Sequence, residues 1–196
     1  VSITNKLKNI YPKEPHPDCD LCPRLKEFRD NNRKVYPTWH NSPVISFGGT
    51  KGELLIVGLA PGLRGANKTG RPFTGDHAGD FLYKQLGKFG FSKGKYKAKN
   101  NDDLLLINCR ITNAVRCVPP QNKPLGGEVF SCRSFLINEI ESLSHLRIIL
   151  ALGTLAHSAV LAALGEKKSA YKFGHNKFHH IKDNKRRELI IANSYH

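Results

Sequence analysis

Apolar residues in this chain gather into four short, nearly continuous runs, and each run stops at a polar or glycine-rich cluster. Leu54 to Leu59 is closed by Gly58-Leu59-Ala60-Pro61-Gly62, which reads as a buried strand emptying into a rigid loop. Leu104 to Asn108 ends in Cys109-Arg110-Ile111-Thr112-Asn113, Arg147 to Leu152 ends in Gly153-Thr154, and Leu189 to Ala192 ends in Asn193-Ser194-Tyr195-His196. Helical periods lie between them. Gly75-Asp76 followed by Ala78, Phe81, Leu82 and Leu86 predicts an Asp N-cap and an amphipathic helix. Glu128 to Leu143 predicts a second helix, with Val129, Phe130, Phe135, Leu136 and Ile140 apolar, and Gly153-Thr154 caps a third that runs through Leu164. Ahead of these, residues 1 to 18 read as an irregular arm, Pro23 to Asn32 as a short basic helix and Tyr36 to Phe47 as an extended connection. A basic, hairpin-like stretch from Lys172 to Asp183 leads into the last run.

Apolar strands without alternation, separated by helices, indicate an α/β fold with four parallel strands covered on both faces. The functional crevice of such a sheet lies outside the carboxyl ends of its strands. All four polar clusters are expected there, bringing Asn, Asp, Thr and His side chains together from distant parts of the chain. The loop after the first run, with the helix N-terminus beyond it, makes a site for something anionic. Gly62 to Thr69 comes within one residue of a P-loop, but Asn67 replaces the glycine before the Lys and Pro72 interrupts the helix that must follow. A nucleotide-hydrolysing reading therefore ranks third.

At 196 residues the chain reads as one domain spanning 1–196, without repeats. No apolar run approaches membrane length and no secretory apolar region stands at the N-terminus, so a cytoplasmic protein and no membrane partner are expected. Thirty-one Lys plus Arg against sixteen Asp plus Glu leave a net charge of +15, an excess that points to a polyanion, and nucleic acid in particular. Phe91 to Asn101, a basic excursion containing glycine, is a candidate for tracking phosphates.

Five cysteines in such a protein point to metal or catalysis rather than disulfides. Cys19 and Cys22 form a C-x-x-C after a proline-rich segment, which is the wrong context for a thioredoxin-type pair. Cys117 and Cys132 flank a Pro/Gly-rich loop and can close a four-thiolate site with the first pair, for zinc or for an iron-sulfur cluster. Cys109 reads as a buried structural thiol.

Gly58-Leu59-Ala60-Pro61-Gly62, then Gly65 through Asp76 (GANKTGRPFTGD), then Thr112 through Pro120 (TNAVRCVPP) resemble the iron-sulfur uracil-DNA glycosylases, and among them family 5, the type-b enzymes. The resemblance spans Cys19 to His196 in matching order. It implies a three-layer αβα sandwich, a structural 4Fe-4S cluster on Cys19, Cys22, Cys117 and Cys132 with zinc the weaker alternative, and hydrolysis of the N-glycosidic bond of deoxyuridine in DNA. A monomer acting on DNA is expected. A non-catalytic iron-sulfur or zinc module that binds nucleic acid is the rival reading.

Carried over residue by residue, the resemblance puts Gly58, Leu59 and Ala60 in the uracil pocket, with Phe73 beneath the flipped base as a stacking platform. Asn113 would sit on the base's polar edge, where an amide can accept from N3-H and donate to O4 at once. Asp76 would position the attacking water, and His196 would hydrogen-bond the O2 oxygen where charge accumulates. Leu59 stands where the sister type-a enzymes carry an acidic residue, as in type b, so catalytic load falls on Asp76. An apolar wall rejects misfits weakly, which extends the expected substrates to hypoxanthine and other deaminated bases. The family continues past this histidine with Pro-Ser, a DNA-contacting loop and a final helix, so a missing C-terminal end is expected.

Overall fold

The computed structural model describes residues 12 to 195. Its centre is a six-stranded sheet built from β1 (Phe47–Gly48), β2 (Leu54–Gly58), β5 (Cys109–Asn113), β6 (Ile148–Leu152), β7 (Phe178–Lys182) and β8 (Glu188–Ser194), in the order β1-β5-β2-β6-β8-β7. The four inner strands run parallel, and β1 and β7 flank them antiparallel. The expected four-stranded parallel sheet is thus present, with an antiparallel strand added at each edge. Alternating exposure along β7 suits an edge strand that faces water on one side.

One expected strand is displaced. The Leu104 to Asn108 run does not enter the sheet; Leu105–Leu106 forms β4, which pairs with β3 (Ser92–Lys93) in a separate two-stranded ribbon. Asn108 takes a left-handed φ of 51°, which ends that segment, and the parallel strand begins at Cys109. All five residues from Cys109 to Asn113 are buried although three are polar, so the hydrophobic pattern passes over them. Asn108 consequently lies at the amino end of the sheet, where its amide oxygen accepts from the Glu53 N-H at 2.9 Å; of that cluster, Asn113 reaches the carboxyl end.

Strand alternation makes the layers. Leu55 and Val57 of β2 face a core completed by α4 (Gly126–Ser142) and α5 (Thr154–Ala163), while Ile56 faces the opposite core, which Tyr83 and Leu86 of α3 (His77–Lys88) complete. These are the two helical faces of an αβα sandwich. A short α2 (Ala66–Thr69) lies within the loop after β2, and α1 (Pro23–Val35), longer than expected by one turn, packs with the cysteines. The α4 helix starts two residues before Glu128 because that carboxylate, at the third helical position, turns back to accept from the Leu125 N-H at 2.7 Å. Among the described residues no helix is long and apolar enough to cross a membrane.

Polar residues inside β5 survive burial through one network. Glu139 of α4, fully buried, takes the Arg110 guanidinium and the Arg116 guanidinium, the latter at 3.0 Å, and accepts from Ser46 Oγ at 2.6 Å. Glu14 of the N-terminal arm pairs with Arg116 at 2.8 Å and Arg110 at 3.3 Å. Burial pushes the Glu139 carboxyl up, but the two guanidinium groups outweigh it and hold the group below its ordinary value. A folded pKa below the unfolded one means that this stability is present above the ordinary carboxylate range and is lost as pH falls through the folded value. Replacing Glu139 by Gln leaves two buried arginines under-compensated and is expected to cost about 3–5 kcal/mol. Urea unfolding at pH 7 and again in acid measures it: the deficit is predicted to shrink as the wild-type carboxyl protonates, and a deficit below about 1 kcal/mol at pH 7 would contradict this role.

Candidate active site

A cavity of about 610 Å³ opens where the carboxyl ends of the inner strands meet the α3 and α5 N-termini. Its walls include Leu59, Ala60, Phe73, Asp76 and Asn113, five of the residues singled out from sequence, together with Leu152, Gly153 and Thr154. Asn113 and Gly58 are register partners at the ends of β5 and β2. A Cβ on Gly58 would stand 2.5 Å from Asn113 Oδ1 and 2.6 Å from Phe73 Cζ, so only glycine lets ring and amide meet over the strand end. Phe73 itself holds a left-handed φ of 51° and packs into the α3-side core, so it is at once a core residue and part of the cavity wall. Backbone of this kind in a bulky residue is found where the surroundings over-determine it, commonly at ligand sites.

Asp76 is the α3 N-cap: its Oδ1 accepts from the Gly79 N-H at 2.9 Å. Its second oxygen lies over Gly65 and Gly62, and a Cβ on Gly65 would collide with it. One carboxylate oxygen therefore caps the helix, and the same residue lines the cavity. His77 also lines the cavity. His196 lies outside the described residues; the chain before it ends β8 at Ser194, whose carbonyl accepts from the Gly153 N-H at 2.8 Å on the cavity wall.

Asn122 was not anticipated. It lines the same cavity from the loop between Cys117 and Cys132, and both Gln121 and Asn122 take left-handed φ values of 56° and 57°. Pro119 and Pro120 fix the chain just before this turn, and Asn tolerates left-handed backbone, so the Pro-Pro-x-Asn stretch carried the signal.

Four cysteines come together away from the cavity. Cys19, Cys22, Cys117 and Cys132 surround a space of about 10 Å³ closed by Leu25, Val115 and Phe135, whereas Cys109 belongs to the opposite core. Burial pushes the Cys117 thiol up to about 12 and the Cys132 thiol up to about 11, and raises Cys22. The Arg116 N-H donates to Cys132 Sγ at 3.3 Å, and Arg29 Nη1 to Cys117 Sγ at 3.8 Å. Arg29 is 2% exposed, and its Nε and Nη2 have no hydrogen-bond partner among the described residues. Among the described residues no group of three or more His, Cys, Asp or Glu is arranged to hold a metal ion.

Residues 45–196 match the family model of the uracil-DNA glycosylase superfamily. The chain belongs to that superfamily. Within it, the chain is 42% identical to the type-5 uracil-DNA glycosylase of Thermus thermophilus over 163 residues, covering 80% of this chain and 74% of that one. It is 38% identical to the type-5 enzyme of Pyrobaculum aerophilum, covering 80% and 71%. Similarity to type-4 enzymes is lower, 29% for that of Sulfurisphaera tokodaii over 94% of this chain and 71% of the relative. These relatives place the glycosylase in the type-5 branch, the one that the Leu59 position indicates.

The Gly58 contact sets how closely ring and amide approach in this glycosylase's cavity, and substitution by Ala tests it. The Gly58→Ala variant is expected to keep its secondary structure by circular dichroism while excision from uracil-containing DNA falls about a hundredfold, the scale of a 1 Å misplacement. Gly62→Ala, where the new Cβ meets only Asp76 Oδ2 at 3.4 Å, is expected to be far milder. Equal activity in the two variants would show that the close approach at Gly58 is not needed.

Proposed function

We propose that this chain is a DNA repair glycosylase that hydrolyses the N-glycosidic bond of deoxyuridine in DNA and leaves an abasic site. The observation that carries the reading is the convergence of Phe73, Asn113 and Asp76 on one cavity at the sheet's carboxyl edge. An extruded uracil stacks on Phe73, and the Asn113 amide accepts from N3-H and donates to O4. Water held by Asp76 adds its oxygen to C1′ as the C1′–N1 bond breaks. The bonding electron pair leaves on uracil, and the water's surplus proton passes by way of the carboxylate to solvent. Negative charge on the departing base falls on O2, the place proposed for His196. Asn122 supplies a second polar group to the same cavity, on the loop that joins it to the cysteines.

Cavity size and lining support a wider substrate range. About 610 Å³ holds more than a pyrimidine, and Leu59, Ala60 and Leu152 discriminate only by shape, so hypoxanthine is a second substrate. The net charge of +15 and the exposed lysines at 93, 95, 97 and 99 supply the electrostatic hold on the DNA backbone. The rival reading, a module that only binds nucleic acid, needs Lys and Arg but gives Asp76 and Asn113 no task at an apolar cavity.

Incubation with a uracil-containing single strand, followed by alkali, is expected to cut the strand at the uracil, and a hypoxanthine strand more slowly. An intact uracil strand would sink the assignment. Asp76→Asn is expected to lower the single-turnover rate roughly a hundredfold, with Leu59→Ala mild. Near-normal cleavage by the Asp76 variant would mean that the water is activated elsewhere.

Cys19, Cys22, Cys117 and Cys132 fit a 4Fe-4S cluster. Four thiols line one small space, and the buried Arg29 brings a positive charge whose Nε and Nη2 have no hydrogen-bond partner among the described residues, which an anionic four-thiolate group would balance. A zinc ion on the same four thiolates is the weaker alternative. When bound, such a cluster ties α1 to the loop after β5 and takes no part in bond cleavage. Purified protein is expected to be brown with broad visible absorption, lost in a Cys117→Ser variant and retained in Cys109→Ser. A colourless, zinc-loaded and active preparation would overturn the cluster.

A further inference from the structure

The reaction loop is gripped from outside the cavity by the basic excursion. Between α2 and α3 the chain carries Arg71, Phe73 and Asp76 within six positions, and Phe73 and Asp76 line the cavity. Arg71 points the other way. Its Nη1 and Nη2 donate to the two oxygens of Asp102 at 2.6 and 2.8 Å, and its Nε donates to Thr74 Oγ1 at 2.8 Å. The pair is enclosed, with the Arg71 side chain 4% and the Asp102 side chain fully shielded. Around the guanidinium stand the rings of Phe47, Tyr83 and Tyr96, at 5.0, 5.4 and 5.6 Å from their centroids.

Tyr96 adds a second grip. Its hydroxyl accepts from the Gly75 N-H at 3.3 Å, the residue beside Asp76, and its ring stacks on Tyr83 at 4.7 Å. Tyr83 in turn donates to the Pro72 carbonyl at 2.7 Å. Arg71, Pro72, Thr74 and Gly75 are thus each held by a named contact within this assembly. Asp102 also accepts from the Lys97 N-H at 2.9 Å and the Leu104 N-H at 3.3 Å, so the same carboxylate shapes the excursion itself. Tyr96 turns inward while its neighbours Lys95 and Lys97 are exposed.

We propose that Arg71, Tyr96 and Asp102 are positioning residues: they lock the phosphate-facing excursion and the loop bearing Phe73 and Asp76 into one body, so that DNA seated on the lysines sets where the extruded base and the water meet. This rests on the glycosylase reading of the cavity and extends it. None of the three lines the cavity, so their effect on the reaction runs through the loop. A bidentate Arg-carboxylate pair fixes direction as well as distance, and aromatic walls leave the guanidinium one seat. The enclosure also keeps the pair out of competition with DNA phosphate, which a surface pair would face.

Two variants of the full chain test this: Tyr96→Phe, which removes only the hydroxyl, and Asp102→Asn, which keeps the shape and removes the charge. Three quantities are read: the thermal midpoint, the dissociation constant for uracil-containing DNA, and the single-turnover rate at saturating enzyme. Tyr96→Phe is expected to leave midpoint and affinity within about twofold of wild type or a few degrees, and to slow the chemical step about tenfold. Asp102→Asn is expected to slow it further. Hydrogen exchange supplies a readout apart from activity: amides in residues 72–79 should exchange faster in both variants, with the central strands unchanged. A full rate with unaltered exchange in 72–79 would overturn the proposal, and so would a rate loss matched by an equal loss of affinity. Should wild type itself fail to release uracil, the glycosylase reading falls, and exchange in 72–79 alone then decides whether the excursion holds the loop.

Discussion

One buried carboxylate holds this molecule's two centres in register. Glu139 reaches from α4 into the sheet and neutralises Arg110 within β5 and Arg116 just beyond it. Without that partner the sheet could not contain a strand reading Cys-Arg-Ile-Thr-Asn, because a buried guanidinium needs a partner to persist. That strand ends at Asn113, on the cavity wall. Three residues later the Arg116 N-H points at Cys132 Sγ. The same few residues therefore place the amide that would read the base and one edge of the cysteine site.

The parts divide between rigid and supplied. Parallel strands β2, β5 and β6 bring their carboxyl ends together as a consequence of topology, and their hydrogen-bonded register leaves little freedom. Beyond Asn113 and Leu152 on the strand ends, side chains at the cavity come from loops anchored at both sides: Asp76 through its helix cap, Phe73 through the Arg71 and Tyr96 contacts on its neighbours, Asn122 through the turn between two cysteines. A scaffold of this kind suits a reaction whose transition state is loose and charge-separated, since the protein's task is to hold groups still rather than to deform.

Much of this was legible in the chain. Leu54 to Gly58 was readable because a central parallel strand is apolar on both faces, and Asp76 because N-caps obey a local rule. Cys109 to Asn113 was not, since its Arg110 and Thr112 are satisfied by Glu139, Ser46 and Glu14, partners that lie 29 to over 90 positions away. The louder Leu-Leu-Leu-Ile run next to it went to a ribbon, where Leu105 is two-thirds exposed. Asn122 escaped for a related reason: a turn residue gains meaning only when the fold carries it across to a cavity. Arg29 lies on the helix read from sequence only as basic, and packing buries it against Cys117.

In the proposed reaction one cavity at the carboxyl edge receives the base and holds the water. A crystal structure of the Asp76→Asn variant, expected to be slow, with a uracil-containing DNA strand tests this arrangement. The account predicts the extruded uracil stacked on Phe73, its N3 and O4 edge facing the Asn113 amide, and C1′ turned toward position 76. Uracil bound elsewhere on the protein, or left in the DNA with the cavity filled by solvent, would contradict it.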